Sequence, residues 1–255
     1  MAKVIAFSNQ KGGVGKTTTC VNLAAYLALD GYKILLVDFD AQANASSSLG
    51  IFDKNIDFSI YTAMCGESIE KCIRKTEIEN LWIVASSLDL CALEKELNDV
   101  ERKEYVLKDA LDTVKDRYDF VFIDCAPSIN MLLVNALCAS DYVVIPLQCE
   151  YLALEGMNQL LNTVRLAKRR LNADLNVLGV VLTMHTGRSK LSRDVEGEIR
   201  KLFGDKVFQT AIPRNIRLAE APSNGKPIAL YDDKCAGAKA YAALAKEFMT
   251  KFIKE

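Results

Sequence analysis

The stretch Val4-Ile5-Ala6-Phe7-Ser8-Asn9-Gln10-Lys11-Gly12-Gly13-Val14-Gly15-Lys16-Thr17-Thr18 decides how the rest of the chain is read. Four apolar residues form a short strand pattern, Val4–Ser8, that ends in polar residues. Three glycines follow, and Lys16-Thr17 opens an apolar-periodic segment, Thr17–Leu29, that predicts a helix stopped by Gly31. Strand, glycine-rich loop and helix N-terminus in this order turn backbone N–H groups and the positive end of the helix toward an anion. Glycine is needed because side chains would keep the backbone away from it. In such a loop Lys16 is placed to reach the β- and γ-phosphates of a nucleotide, and the Thr17 hydroxyl to ligate Mg²⁺. The general pattern G-x-x-x-x-G-K-[ST] is not strictly met. Gln10 stands at its first glycine, and a second lysine, Lys11, precedes Gly12-Gly13.

Outward from this loop, short apolar runs alternate with longer helical patterns. The predicted strands are Val4–Ser8, Lys33–Asp38, Leu81–Ala85, Phe120–Asp124, Tyr142–Pro146, Val177–Met184 and Val207–Gln209. They are nearly continuous in Val, Ile, Leu and Phe, as strands buried on both faces are. Besides Thr17–Leu29, the predicted helices are Glu101–Lys115, Ser128–Ala139 with Ser128 as N-cap, Leu154–Leu171, Ser189–Phe203 and Cys235–Ile253. The expectation is an α/β fold: a doubly wound, mostly parallel sheet with helices on both faces. No linker, repeat or low-complexity tract interrupts it, so residues 1–255 read as one domain.

Composition limits the function. The 255 residues are 50% hydrophobic and carry a net charge of −1. A globally basic nucleic-acid-binding domain is excluded, so any such contact needs a local patch. Eight cysteines form no C-x-x-C pair and read as reduced thiols of a cytosolic protein. A single histidine, His185, excludes a histidine triad or a multi-histidine metal site. No apolar run approaches the roughly 18 residues of a membrane span.

Phosphoryl transfer needs Mg²⁺ and a positioned water, and carboxylates at strand C-termini lie where α/β sheets bind ligands. Two segments supply them: Val37-Asp38-Phe39-Asp40-Ala41-Gln42 and Phe120-Val121-Phe122-Ile123-Asp124. Taken singly, each Asp also reads as a residue that merely ends a strand and caps a turn.

Lys11-Gly12-Gly13-Val14-Gly15-Lys16-Thr17-Thr18 resembles the deviant Walker A motif of the ParA/MinD superfamily of P-loop ATPases. The resemblance implies ATP hydrolysis with ATP and Mg²⁺ as cofactors, and a nucleotide-sandwich homodimer in which Lys11 acts in trans on the partner's phosphates. Asp38-Phe39-Asp40-Ala41-Gln42 resembles the family's D-x-D-x-Q switch I. It implies that Asp40 orients the attacking water and that Asp38 supports the Mg²⁺ shell. Ala41 stands where the family often has Pro, which predicts a more mobile loop. Asp124-Cys125-Ala126-Pro127-Ser128 resembles switch II, with Asp124 as a metal-side carboxylate.

The likeness extends along nearly the whole chain. Gln148–Gly156 resembles the segment after the family's fourth strand, and Ile212–Pro222 resembles a hallmark of the chromosomal, Soj-type members, which implies adenine contacts from Pro213 and Asn215. It also implies non-specific DNA binding by the ATP-bound dimer, with Arg188 and Arg217 at DNA-contacting positions. A ParB-type partner that stimulates hydrolysis and a cytoplasmic, nucleoid-associated location follow from the same likeness. Lys190, Arg193, Lys226 and Lys234 can extend the patch, as can Arg165, Lys168, Arg169 and Arg170. All of these also read as solvated charges. The phosphate loop lies close to the N-terminus, so no helix-turn-helix domain is expected before it. Three rival readings stay open: a MinD-like membrane ATPase using an amphipathic C-terminal helix, a metabolic member such as a nitrogenase iron protein, and a small-metabolite kinase.

Overall fold

Strand β2 (Ile34–Phe39) shows how the core is built. Ile34 and Leu36 point into one apolar layer, and Leu35, Val37 and Phe39 into the other. Strand β5 (Phe120–Cys125) divides in the same way, with Phe120 and Phe122 on one face and Val121, Ile123 and Cys125 on the other. Side chains alternate across a strand, so a run apolar at every position requires cover on both faces. Helix α1 (Lys16–Leu29) and the helix Ala236–Ile253 cover one face. Helices Val106–Asp112, Met131–Ala139 and Ala153–Arg170 cover the other. The computed structural model describes residues 2–53, 56–150, 153–186 and 190–253, with only the backbone described for 153–155, 190, 191 and 253.

The remaining strands are β1 (Lys3–Phe7), β3 (Ile73–Lys75), β4 (Leu81–Val84), β6 (Tyr142–Gln148) and β7 (Asn176–Thr183). Their order is β3-β4-β2-β5-β1-β6-β7, and every pairing is parallel except β3 with β4. This is the doubly wound sheet expected. From β1 the chain crosses β5 to reach β2, while β6 lies on the other side of β1. The strand order therefore reverses at β1, where such sheets hold ligands outside their carboxyl ends.

Three expectations need correction, and one strand was not expected. Val207–Gln209 is not a strand. Val207 makes an isolated bridge to Val180, and a Cβ on Gly179 would lie 2.6 Å from both the Lys206 carbonyl and the Phe208 ring. The segment runs beside β7, where the Phe208 N–H donates to the Val180 carbonyl at 2.9 Å, but the close approach over Gly179 leaves only isolated bridges and no continuous ladder. The helix after β5 starts at Met131, capped by the Asn130 side chain, which accepts the Leu133 N–H at 3.3 Å, and not at Ser128. The stretch 101–115 is broken: Arg102 adopts a left-handed φ of 56°, a 3₁₀ turn spans Lys103–Tyr105, and the helix proper is only Val106–Asp112. Strand β3, a three-residue antiparallel edge, has too little apolar pattern to be foreseen.

Candidate nucleotide-binding site

The loop after β1 is shaped by its glycines. Gly13 and Gly15 take φ of 74° and 83°, which side chains disfavour. The loop is held from both sides by residues distant in sequence. The Thr183 hydroxyl, at the end of β7, donates to the Val14 carbonyl at 2.7 Å. Asn9 donates through Nδ2 to the Pro146 carbonyl at 2.8 Å and accepts the Lys11 N–H at 3.0 Å. Helix α1 starts at Lys16, and no acidic side chain occupies its first turn. The positive helix end therefore faces the loop uncompensated.

Lys16 is 7% exposed, and its ammonium donates to the Lys11 carbonyl at 3.4 Å. Burial lowers its pKa, against the opposing pull of Asp124, Cys125 and Asp40. Lys11 is about half exposed and ion-paired with Glu150, which follows β6.

Register brings the carboxylates together. Asp124 lies beside Phe7 on one side and Asp38 on the other. Asp38 accepts the Ser46 N–H at 2.8 Å and the Ser46 hydroxyl at 2.7 Å. Burial nevertheless pushes its pKa up to about 6. Asp124 is fully buried, and neither of its oxygens has a hydrogen-bond partner of good geometry. Its pKa stands well above the carboxylate range, first because of burial and then because of Asp38. The Thr17 hydroxyl and the Lys16 ammonium offset this only in part. Asp40 accepts the Gln42 N–H at 3.0 Å and opens toward the loop. A buried carboxylate without partners is costly unless a cation is bound. Among the described residues no three His, Cys, Asp or Glu side chains cluster as a complete metal cage. One or two carboxylates, a hydroxyl and ligand phosphates are the usual set for Mg²⁺, and Asp124 with Thr17 fits it.

Two cavities meet at Gly15 and Thr18. One, of about 410 Å³, is lined by the phosphate loop, Asp40, Gln42 and Pro127. The other, of about 500 Å³, is mostly apolar and lined by Thr183, Pro213, Asn215, Leu218 and Tyr241. Together they have room for a polyanion beside a flat apolar group. Asn215 commits its side-chain oxygen to the Arg217 N–H at 2.8 Å, so its amide N–H groups remain for a ligand. The structure thus brings Lys11, Gly12, Gly13, Val14, Gly15, Lys16, Thr17, Thr18, Asp38, Asp40, Asp124, Pro213 and Asn215 into one region. Arg217 lies beside it, paired with Glu220 at 2.9 Å and Asp232 at 3.4 Å. Arg188 lies outside the described residues, as does the side chain of Lys190. Thr183, Ser46, Asn9 and Glu150 were not singled out from sequence. Their roles depend on partners up to 169 residues away, and only polar residues closing apolar strands hint at two of them.

A reversed strand order, a glycine loop feeding a helix and buried carboxylates on the adjacent strands define a phosphate-loop nucleotide-binding protein. A family model described as an AAA domain matches residues 2–177. The sporulation initiation inhibitor protein Soj of Bacillus subtilis is 52% identical over 248 residues, covering 97% of this chain and 98% of that protein. The chain belongs to the Soj/ParA family of chromosome-partitioning ATPases, within the ParA/MinD superfamily. The chromosome-partitioning ATPase Soj of Treponema pallidum is 48% identical, over 98% of each chain. Among solved structures, cobyrinic acid a,c-diamide synthase from Mycobacterium smegmatis, with bound ADP and magnesium, superposes with a TM-score of 0.87 at 33% identity, over 99% of this chain and 96% of that one.

Proposed function

We propose that this chain is an ATP-dependent DNA-partition ATPase, with ATP and Mg²⁺ as cofactors and ADP and phosphate as products. The observation that carries the reading is the orphaned Asp124 carboxylate beside Lys16 and Thr17, at the foot of a glycine loop. The loop N–H groups and Lys16 bind the phosphates; Thr17, Asp38 and Asp124 form the metal side; Asp40 positions the attacking water. Bound Mg²⁺ supplies charge neutralisation between the phosphates. Pro213 and Asn215 line the cavity assigned to adenine. The Lys11 ammonium is half-exposed and paired with Glu150 at the surface, and such pairs are weak. That supports a Lys11 able to exchange Glu150 for the phosphates of a second copy in a sandwich dimer.

The ATP-bound homodimer binds DNA without sequence preference through Arg188 and Arg217, and a ParB-type partner stimulates hydrolysis and release. Residues 1–255 act as one ATPase domain in the cytoplasm, on the nucleoid. Among the described residues no helix is long and apolar enough to cross a membrane. Phe248 and Phe252 of the last helix pack edge-to-face against Phe120 with ring centroids 5.7 and 5.4 Å apart, which favours a packed helix over a membrane-inserting one. Cys125 is buried, with its thiol pushed up by burial, which argues against a cluster-bridging role.

The test is non-specific DNA binding and sedimentation with ADP, ATP and a non-hydrolysable analogue. Dimer and DNA complex are expected with the two triphosphates only. Equal DNA affinity and size in all three states rejects the reading.

A further inference from the structure

A residue other than glycine in the left-handed region is strained, and a fold keeps it only where its neighbours hold it there. Four described residues adopt that backbone: Ala43, Asn80, Arg102 and Met184. Met184, with φ 48°, is the one among them that lines the apolar cavity beside Pro213, and it lines the phosphate-loop cavity as well.

Its neighbours pin it from both sides. Thr183, before it, donates its hydroxyl to the Val14 carbonyl of the phosphate loop. His185, after it, donates its N–H to the Ile212 carbonyl at 2.9 Å, and its ring Nε2 bonds the Glu196 carboxylate at 2.8 Å. Glu196 is fixed in turn by the Arg200 guanidinium at 2.9 Å, on the helix Lys190–Phe203.

The two cavities share three lining residues, Gly15, Thr18 and Met184. Gly15 has no side chain and Thr18 a short one, so Met184 brings the one long side chain to this junction. Met184 is itself only partly buried. The Tyr241 hydroxyl nearby is engaged with Thr19 at 3.2 Å, and the Thr183 hydroxyl with Val14. What the junction offers a ligand is therefore chiefly an apolar contact.

We infer that the Met184 side chain packs on the sugar of the bound nucleotide and is a specificity-determining residue for nucleotides over other polyphosphates. With a base in one cavity and phosphates in the other, covalent connectivity puts the sugar at the junction. The carbon face of a pentose is apolar, and a flexible thioether side chain adapts to it. Glycine would take φ 48° without strain, so the position keeps methionine for what its side chain contacts. This contact rests on the proposed assignment of the two cavities to base and phosphates.

The experiment uses the full chain with Mg²⁺ and three probes, read by titration calorimetry. They are ATP, inorganic tripolyphosphate, and tenofovir diphosphate, which joins adenine to its phosphates without a sugar ring. Met184→Ala is expected to weaken ATP about tenfold, the lower end of what burying a methionine side chain gives. Tripolyphosphate and the acyclic analogue should each change by less than about twofold, because neither presents a sugar to the junction. Met184→Leu, which restores the bulk, should recover ATP binding to within about threefold of native. Met184→Gly, free of the strain, should show the same ATP loss with the Tm of the nucleotide-free chain level or raised. ATP affinity within twofold of native in Met184→Ala overturns the contact. An equal loss for ATP and the acyclic analogue overturns the sugar as its target. A matching loss for tripolyphosphate, or a clear fall of Tm in Met184→Gly, assigns the side chain to holding the loop and overturns the specificity role. A native chain that binds ATP no better than tripolyphosphate rejects the base cavity itself, and with it the assignment on which the contact rests.

Discussion

At the scale of single residues, the proposed roles separate binding from chemistry. Lys16 and the glycine loop line the cavity proposed for the phosphates, whereas Asp40 meets the protein mainly through the N–H groups of its own turn. Asp40→Ala is therefore expected to keep ATP affinity within about twofold and to slow hydrolysis by about 100-fold, an effect on the transition state and not on the ground state. Stopped-flow nucleotide binding beside a single-turnover assay checks the split, and a wild-type hydrolysis rate removes the assignment. Asp38 carries a pH signature. Its native pKa of about 6 exceeds the unfolded value of about 4. Between those values the native state holds more protons than the unfolded one, so stability falls as pH rises from about 4 to about 6. Asp38→Asn should flatten that fall, gaining about 2–3 kcal/mol on the native chain at pH 7 relative to pH 4. Urea unfolding without nucleotide, at both pH values, measures it.

At the scale of elements, the legible parts were those whose reasons are local. Strands β2 and β5 were readable because cover on both faces makes every position apolar. The phosphate loop was readable because positive φ and close backbone approach require glycine within a few residues. Val207–Gln209 was misread because its course depends on Gly179, nearly thirty residues earlier, lending its empty Cβ position. The Thr183 clamp on Val14 was invisible for the same reason, since a hydrogen bond across 169 residues leaves no spacing to read. A comparable close approach joins the segment after the short helix Asn44–Ser48 to the turn before Pro227. Gly225 has φ 65°, and a Cβ there would lie 2.9 Å from both the Gly50 Cα and the Phe52 ring. Gly225→Ala is expected to cost about 2–3 kcal/mol, from left-handed strain plus overpacking. For a chain of this size that lowers Tm by roughly 4–10 °C in calorimetry; an unchanged Tm would show that the contact yields.

At the scale of the whole molecule, charge and assembly have to be read together. The chain carries a net charge of −1, and Arg217 is already paired with Glu220 and Asp232. A single copy therefore offers DNA little free positive charge at this point, whereas two copies side by side double what each presents. Arg217→Glu should lower the DNA affinity of the ATP-bound form at least tenfold and reduce the slope of log affinity against log salt. Nucleotide binding should be unchanged, because Arg217 does not line the phosphate cavity. Fluorescence anisotropy across a salt series reads both quantities, and an unaltered slope places the DNA contact elsewhere.

The meeting of Gly50, Phe52 and Gly225 also has a historical side. Two loops, one following the segment that carries Asp40 and one following the cavity lined by Pro213 and Asn215, touch where no side chain fits on residue 225. Residue 225 cannot gain a side chain while the Phe52 ring stays in place. A related chain that carries a side chain at the counterpart of Gly225 should lack the ring at the counterpart of Phe52, and one that keeps the ring should keep the glycine. The order of change is thereby fixed in the gene: the ring has to go before a side chain can arrive at residue 225.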